Sequence, residues 1–157
     1  MLYHHHRSRR RTGAAAVELA MVLPLILTLL LGIWEVGRLV EIQQLLSNAA
    51  REAGRQAATG QLTNTQVKQV ATNYLSVAGL PTGNVVVNVD DLTSPGTDVS
   101  KAQYMDQLQV QVSIPFNDVR WCLLSIATNA STTLNAQVQW MTMLDKAYPS
   151  LPEPPQG

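Results

Sequence analysis

The chain has 157 residues, with 11 basic and 11 acidic side chains and a formal charge of zero. The balance hides a division: Arg7, Arg9, Arg10 and Arg11 stand at the N-terminus, and without them 7 basic side chains face 11 acidic ones, so residues 14–157 carry a formal −4. Cations gathered ahead of an acidic body argue against a nucleic-acid partner, and the single cysteine, Cys122, excludes an intrachain disulfide.

Residues 1–13 form a basic leader, and the apolar run begins just after Gly13. Between residues 14 and 34 the only ionisable side chain is Glu18. A helix of that length rises about 31 Å, close to the hydrocarbon thickness of a bilayer. The run is too long for the core of an ordinary secretory signal and has no small-residue cleavage site after a polar break at its far end, so it is expected to stay in the product. The arginines precede the run, whereas Glu35, Arg38 and Glu41 follow it, a bias that places the N-terminus in the cytoplasm and residues 35–148 outside. Trp34, at the outer end, reads as an interfacial anchor. Ala16 and Ala20 make a small-xxx-small pair that lets helices approach closely in lipid. A carboxylate is costly in hydrocarbon, so Glu18 calls for a role.

The helical pattern continues past Trp34. Leu39, Ile42, Leu46, Ala49, Ala53 and Ala57 recur at spacings of three and four, with Glu41, Gln44, Asn48, Arg51, Glu52 and Arg55 opposite. One helix over about 14–59 is predicted, stopping at Gly60, with Pro24, Gly32 and Gly37 as places for a bend. A second helix is predicted over 65–78 from the stripe of Val67, Val70, Ala71, Tyr74, Leu75 and Ala78. The period then becomes two. Val85, Val87 and Val89 make one strand face, Leu108, Val110, Val112 and Ile114 a second, and Leu134, Ala136, Val138 and Trp140 a third. Residues 93–101 read as a loop too polar to hold a core. Asp118 is a weak cap for a short helix carrying Trp121, Leu124 and Ile126, and the proline-rich residues 149–157 favour an extended tail. The fold class is α+β: a long N-terminal helix, half in the membrane, whose outer half packs with a second short helix on a three-stranded antiparallel sheet.

Catalysis finds little material here. His4, His5 and His6 all precede residue 14, so residues 35–148 hold no histidine for a base or a metal ligand. Cys122, between Trp121 and Leu123, reads as a small apolar core residue. Asp90, Asp91, Asp98 and Asp106 gather around the loop between the first two strands without the spacing of a calcium loop, and read as a solvated acidic loop. No metal or cofactor is expected.

Four stretches resemble the TadE-like pseudopilins of the tight-adherence (Flp, type IVc) pilus machinery: GAAAVELA at 13–20, VLPLIL at 22–27, WEVGR at 34–38 and NAAREAGRQAA at 48–58. The resemblance implies cleavage by a prepilin peptidase between Gly13 and Ala14, and hence a mature chain starting at Ala14 with Glu18 as its fifth residue. It also implies residence in the bacterial inner membrane and a minor, assembly-assisting role. The partners implied are the peptidase, membrane lipid, other minor pseudopilins and the pilus assembly platform. Glu18 is then expected to pair with the Ala14 amine of a neighbouring subunit and so fix register, or else to serve only peptidase recognition. The competing reading is an uncleaved, single-span signal-anchored envelope protein with an exterior binding domain, which leaves Glu18 without a role.

Overall fold

The computed structural model describes residues 8–119 and 132–144, with side chains from residue 13 onward. Helix α1 spans Ser8–Ala57, and its 50 residues make a rod about 75 Å long at 1.5 Å per residue. It starts earlier than predicted, passing through Gly13 into the arginines. Arginine and the alanines after it are good helix formers, and one glycine costs only about 1 kcal/mol. Pro24 lies inside α1, where Thr28 Oγ1 donates to the Pro24 carbonyl at 2.8 Å. The helix tightens at its end through Thr59 N–H to Gln56 O and Gly60 N–H to Ala57 O. It stops at Gly60, whose φ of 67° suits a residue without a Cβ.

Helix α2, Asn64–Val77, begins one residue earlier than expected because Thr63 caps it. The Thr63 side chain accepts from Gln66 N–H while the Gln66 side chain accepts from Thr63 N–H at 2.9 Å, a reciprocal box. The sheet is a meander in the order β1, β2, β3, comprising Val86–Asp91, Gln107–Pro115 and Thr133–Met141, antiparallel throughout. Register stacks the inward side chains in rows: Val87 with Val112 and Ala136, Val89 with Val110 and Val138, and Asp91 with Leu108 and Trp140.

The core lies between this sheet face and the outer half of α1. Ile42, Leu46, Ala49, Ala53 and Ala57 are fully buried, as are Val67, Ala71 and Leu75 of α2. Strand β3 runs alongside α1 in the same direction. Gln43 Nε2 donates to Asn135 O at 2.7 Å near the start of the strand, Trp140 lies on Gly54, and Leu144 lies against Gly60. The alanine and glycine run from 48 to 58 therefore has a packing reason, since small residues let the strand and α2 approach the helix backbone closely. A Cβ on Gly54 would overlap the Trp140 ring.

The loop between β1 and β2 departs from expectation. Val99 is fully buried and Ala102 is nearly so, within a 3₁₀ turn at Val99–Lys101. Asn64 clamps this turn: its N–H donates to the Asp98 carboxylate at 3.2 Å, and its side-chain oxygen accepts from Val99 N–H at 2.9 Å. Polar residues here fix an apolar one in the core. Asp118 lies within a second 3₁₀ turn, Phe116–Asp118, and accepts from Asn84 Nδ2 at 3.0 Å. The helix expected beyond it, with Trp121, Cys122, Leu124 and Ile126, lies outside the described residues. So do His4, His5, His6 and the tail 149–157.

Candidate membrane and assembly surface

An 18-residue window within Gly13–Ala57 has a mean hydropathy of 2.4, and none of it is buried inside the fold. Met21, Ile33 and Trp34 are among the large apolar side chains left bare. A helical stretch apolar all round and left bare matches hydrocarbon as its solvent, and this long apolar helix, the one such helix among the described residues, is consistent with a single membrane span. The first buried side chain of α1 is Glu35, which is 7% accessible, and from Ile42 onward one face of the helix is buried in the folded domain. One turn further, Arg38 Nη1 pairs with Glu41 Oε2 at 2.9 Å.

Among the described residues, the sequence-derived site residues lie at the free end of α1. Gly13, Ala14, Ala16, Glu18 and Ala20 are exposed and helical, and a Cβ on Gly13 would meet no atom within 4 Å. Ala14 and Glu18 share a helix face, about 6 Å apart along the axis, whereas Ala16 and Ala20 are rotated about 200° from them at 100° per residue. The helix thus places the carboxylate and the small-residue pair on opposite faces. Arg9, Arg10 and Arg11 contribute backbone to the first turns of α1, and Arg7 lies outside the described residues.

Three aspartates of the folded domain accept hydrogen bonds from the backbone. Asp91 Oδ1 accepts from Thr93 and Ser94 N–H at 2.8 and 2.9 Å. Asp98 accepts from Ser100 N–H at 3.0 Å, which together with the Ser100 side chain holds its carboxyl below the ordinary value. Asp106 accepts from Gln103 N–H and closes the turn before β2. Among the described residues no group of three or more His, Cys, Asp or Glu is placed to hold a metal ion. The groove between α1 and α2, lined by Glu52, Val70, Asn73, Tyr74, Val77 and Ala78, contains one carboxylate, which is held by Arg55 Nη2 at 2.7 Å. Sequence reasoning missed Gly54 with Trp140, and Asn64 with Asp98. The spacing of small residues on α1 signalled the first, whereas nothing local signalled the second.

Fold and exposed helix together define a pilin-like α+β protein whose long apolar helix, consistent with a membrane span, continues into its core. Residues 13–55 match the TadE-like protein family, and that segment is similar to it. No curated protein and no solved structure matches the chain. The likeness implies association with the tight-adherence (Tad) pilus machinery and a role in pilus assembly, and TadE-like pilus proteins are generally structural components without enzymatic activity.

Proposed function

We propose that this protein is a minor pseudopilin-like subunit that assists assembly of a tight-adherence pilus. In this reading a prepilin peptidase cuts between Gly13 and Ala14 at the cytoplasmic face of the inner membrane. The exterior domain then stands on the far side, and Glu18 pairs with the Ala14 amine of a neighbouring subunit. The observation that carries the reading is the placement of Glu18. It is a lone carboxylate on a bare apolar helix, one turn after Ala14 on the same face and within the TadE-like segment. An unpaired charge at the bilayer centre costs roughly 2.5–3.5 kcal/mol on insertion scales, and less near the edge. A cationic partner from another subunit offsets that cost and sets the axial offset between the two chains. Ala16 and Ala20, on the opposite face, supply close helix contact.

Intact-mass measurement on protein extracted from native membranes tests the cleavage. The expected chain begins at Ala14, and Gly13→Val retains the leader. A parent chain still beginning at or near Met1 would replace this reading with an uncleaved signal anchor. Glu18→Gln is expected to be cleaved and inserted but to lose cross-links to partner pseudopilins and to abolish pilus formation. A Glu18→Gln protein that is not cleaved would reduce Glu18 to a peptidase recognition feature.

A further inference from the structure

Apart from Met1 and Met21, every methionine of the chain lies at one corner of the folded domain: Met105 just before β2, Met141 at the end of β3 and Met143 two residues on. All three are exposed, at 56%, 51% and 68%. The described core is built from Val, Leu, Ile, Ala and Phe without a methionine, so these side chains are not there to fill gaps. The corner lies by Ala58, whose carbonyl accepts from Met143 N–H at 2.9 Å. It is about 36 Å beyond Trp34 at 1.5 Å per residue.

Two hydrogen bonds tie this corner together. Thr142 N–H donates to Asp106 O at 2.9 Å, and Asp106 N–H donates to Thr142 Oγ1 at 3.1 Å. Met105 precedes Asp106, Met141 and Met143 flank Thr142, and Gln107 pairs with Met141 in the register of β2 and β3. Thr142 is buried whereas the methionines on either side are exposed, so alternation puts Met141 and Met143 on one outer side. Antiparallel partners stand about 5 Å apart, residues two apart on a strand about 6.7 Å, and diagonal neighbours about 7–8 Å. Methionine is unbranched with three rotatable bonds, and sulfurs carried on anchor points so spaced can converge on one centre.

The backbone marks the same place. The φ of Met105, 63°, is the only positive value among the described residues other than glycine. Gln103 holds it there: its carbonyl accepts from Asp106 N–H and from Thr142 Oγ1, and its N–H donates to the Asp106 carboxylate. Glycine would make this turn without a Cβ penalty. A thioether held in a strained conformation therefore points to a use for the side chain.

We propose that Met105, Met141 and Met143 form a three-sulfur site for a soft monovalent cation, Cu(I) or its congener Ag(I). Thioethers are soft, neutral donors that suit such ions, whereas Zn(II) takes thiolate, imidazole or carboxylate, and Ca(II) and Mg(II) take oxygen. These donors differ in kind from the His, Cys, Asp and Glu groups considered above. Three neutral sulfurs leave the ion its positive charge, which the buried Asp106 carboxylate beside Met105 and the formal −4 of residues 14–157 favour. A thioether has no proton to release, so binding lacks the pH dependence of thiolate and imidazole sites. The proposal is independent of the pilus role.

Titration of the full-length chain in detergent micelles with Ag(I) tests the site, with Cys122→Ala, His4→Ala, His5→Ala and His6→Ala removing competing donors. The ε-methyl resonances of Met105, Met141 and Met143 are expected to shift together and saturate at one equivalent, with Met21 unmoved and Zn(II) without effect. Met141→Leu and Met143→Leu keep the apolar volume and remove the sulfur, which separates ion binding from a merely apolar patch. Each is expected to weaken Ag(I) binding about tenfold or more. Met105→Gly is expected to melt no lower than the parent and yet to bind several-fold more weakly. Shifts that appear only with excess Ag(I), an equal response to Zn(II), or unchanged binding in any of these variants with a normal melt would each overturn the proposal.

Discussion

A Cβ on Gly54 and the indole of Trp140 claim the same space. An aromatic ring seated on a helix backbone has little freedom to retreat, so overpacking at this point costs about 1–3 kcal/mol. Gly54→Val is expected to lower the denaturant midpoint accordingly, and Trp140→Leu added to it to restore part of the loss, as read by urea melts. A surface glycine would show neither effect. Asp98 is the second single-residue lever. Its folded-state pKa is depressed by the Ser100 N–H, so its contribution to stability is present above the ordinary value of 3.8 and is lost as pH falls through the lower folded value. Glu52, lowered chiefly by its hydrogen bond from Arg55, adds a similar loss that begins below 4.5. Melting temperature is expected to fall with acidification below about pH 4.5. In Asp98→Asn the slope below pH 4 should be shallower, and an unchanged slope would remove Asp98 from the account.

Periodicity is a property of short segments, and it resolved the helices and strands wherever the pattern was long. The stripe Ile42, Leu46, Ala49, Ala53, Ala57 and the inward row of β2 are buried where spacing put them, and the inward row of β3 is buried at Ala136 and partly buried elsewhere. Pairwise contacts between distant segments leave no such trace. Burial of Val99 depends on Asn64, 35 residues away, and strand order depends on packing against α1 rather than on any residue within a strand. The start of α2 was displaced by one residue because its cap is Thr63, whose box with Gln66 is a local pattern present in the sequence. Thr63→Ala removes one side of that box and is expected to destabilise the domain by about 1 kcal/mol. A chemical-denaturation midpoint shift measures it, and a shift within error would show that Asn64 and Asp98 alone hold this corner. The membrane-end residues were legible for a different reason: cost in hydrocarbon singles out Glu18 without any tertiary contact. What Glu18 meets is not legible, since its partner belongs to another chain.

Viewed whole, the molecule is one helix with a domain wrapped around its far half. Burial begins at Glu35, so residues 35–148 contain every described element of the core. That fragment is expected to fold without the span and to melt in a single cooperative transition by circular dichroism. A broad, non-cooperative loss of signal would mean that the membrane half is needed for the fold.

Continuity of α1 also governs how the protein responds to force. The helix with the apolar stretch is the one against which Trp140 and Leu144 are seated, and no loop intervenes between Trp34 and the first buried turn. Traction on the apolar stretch would be delivered straight to the centre of the folded domain. Drawing the rod outward by one turn would lift the domain seated on it by about 5.4 Å. A continuous rod of this kind carries its outer surface along with its root.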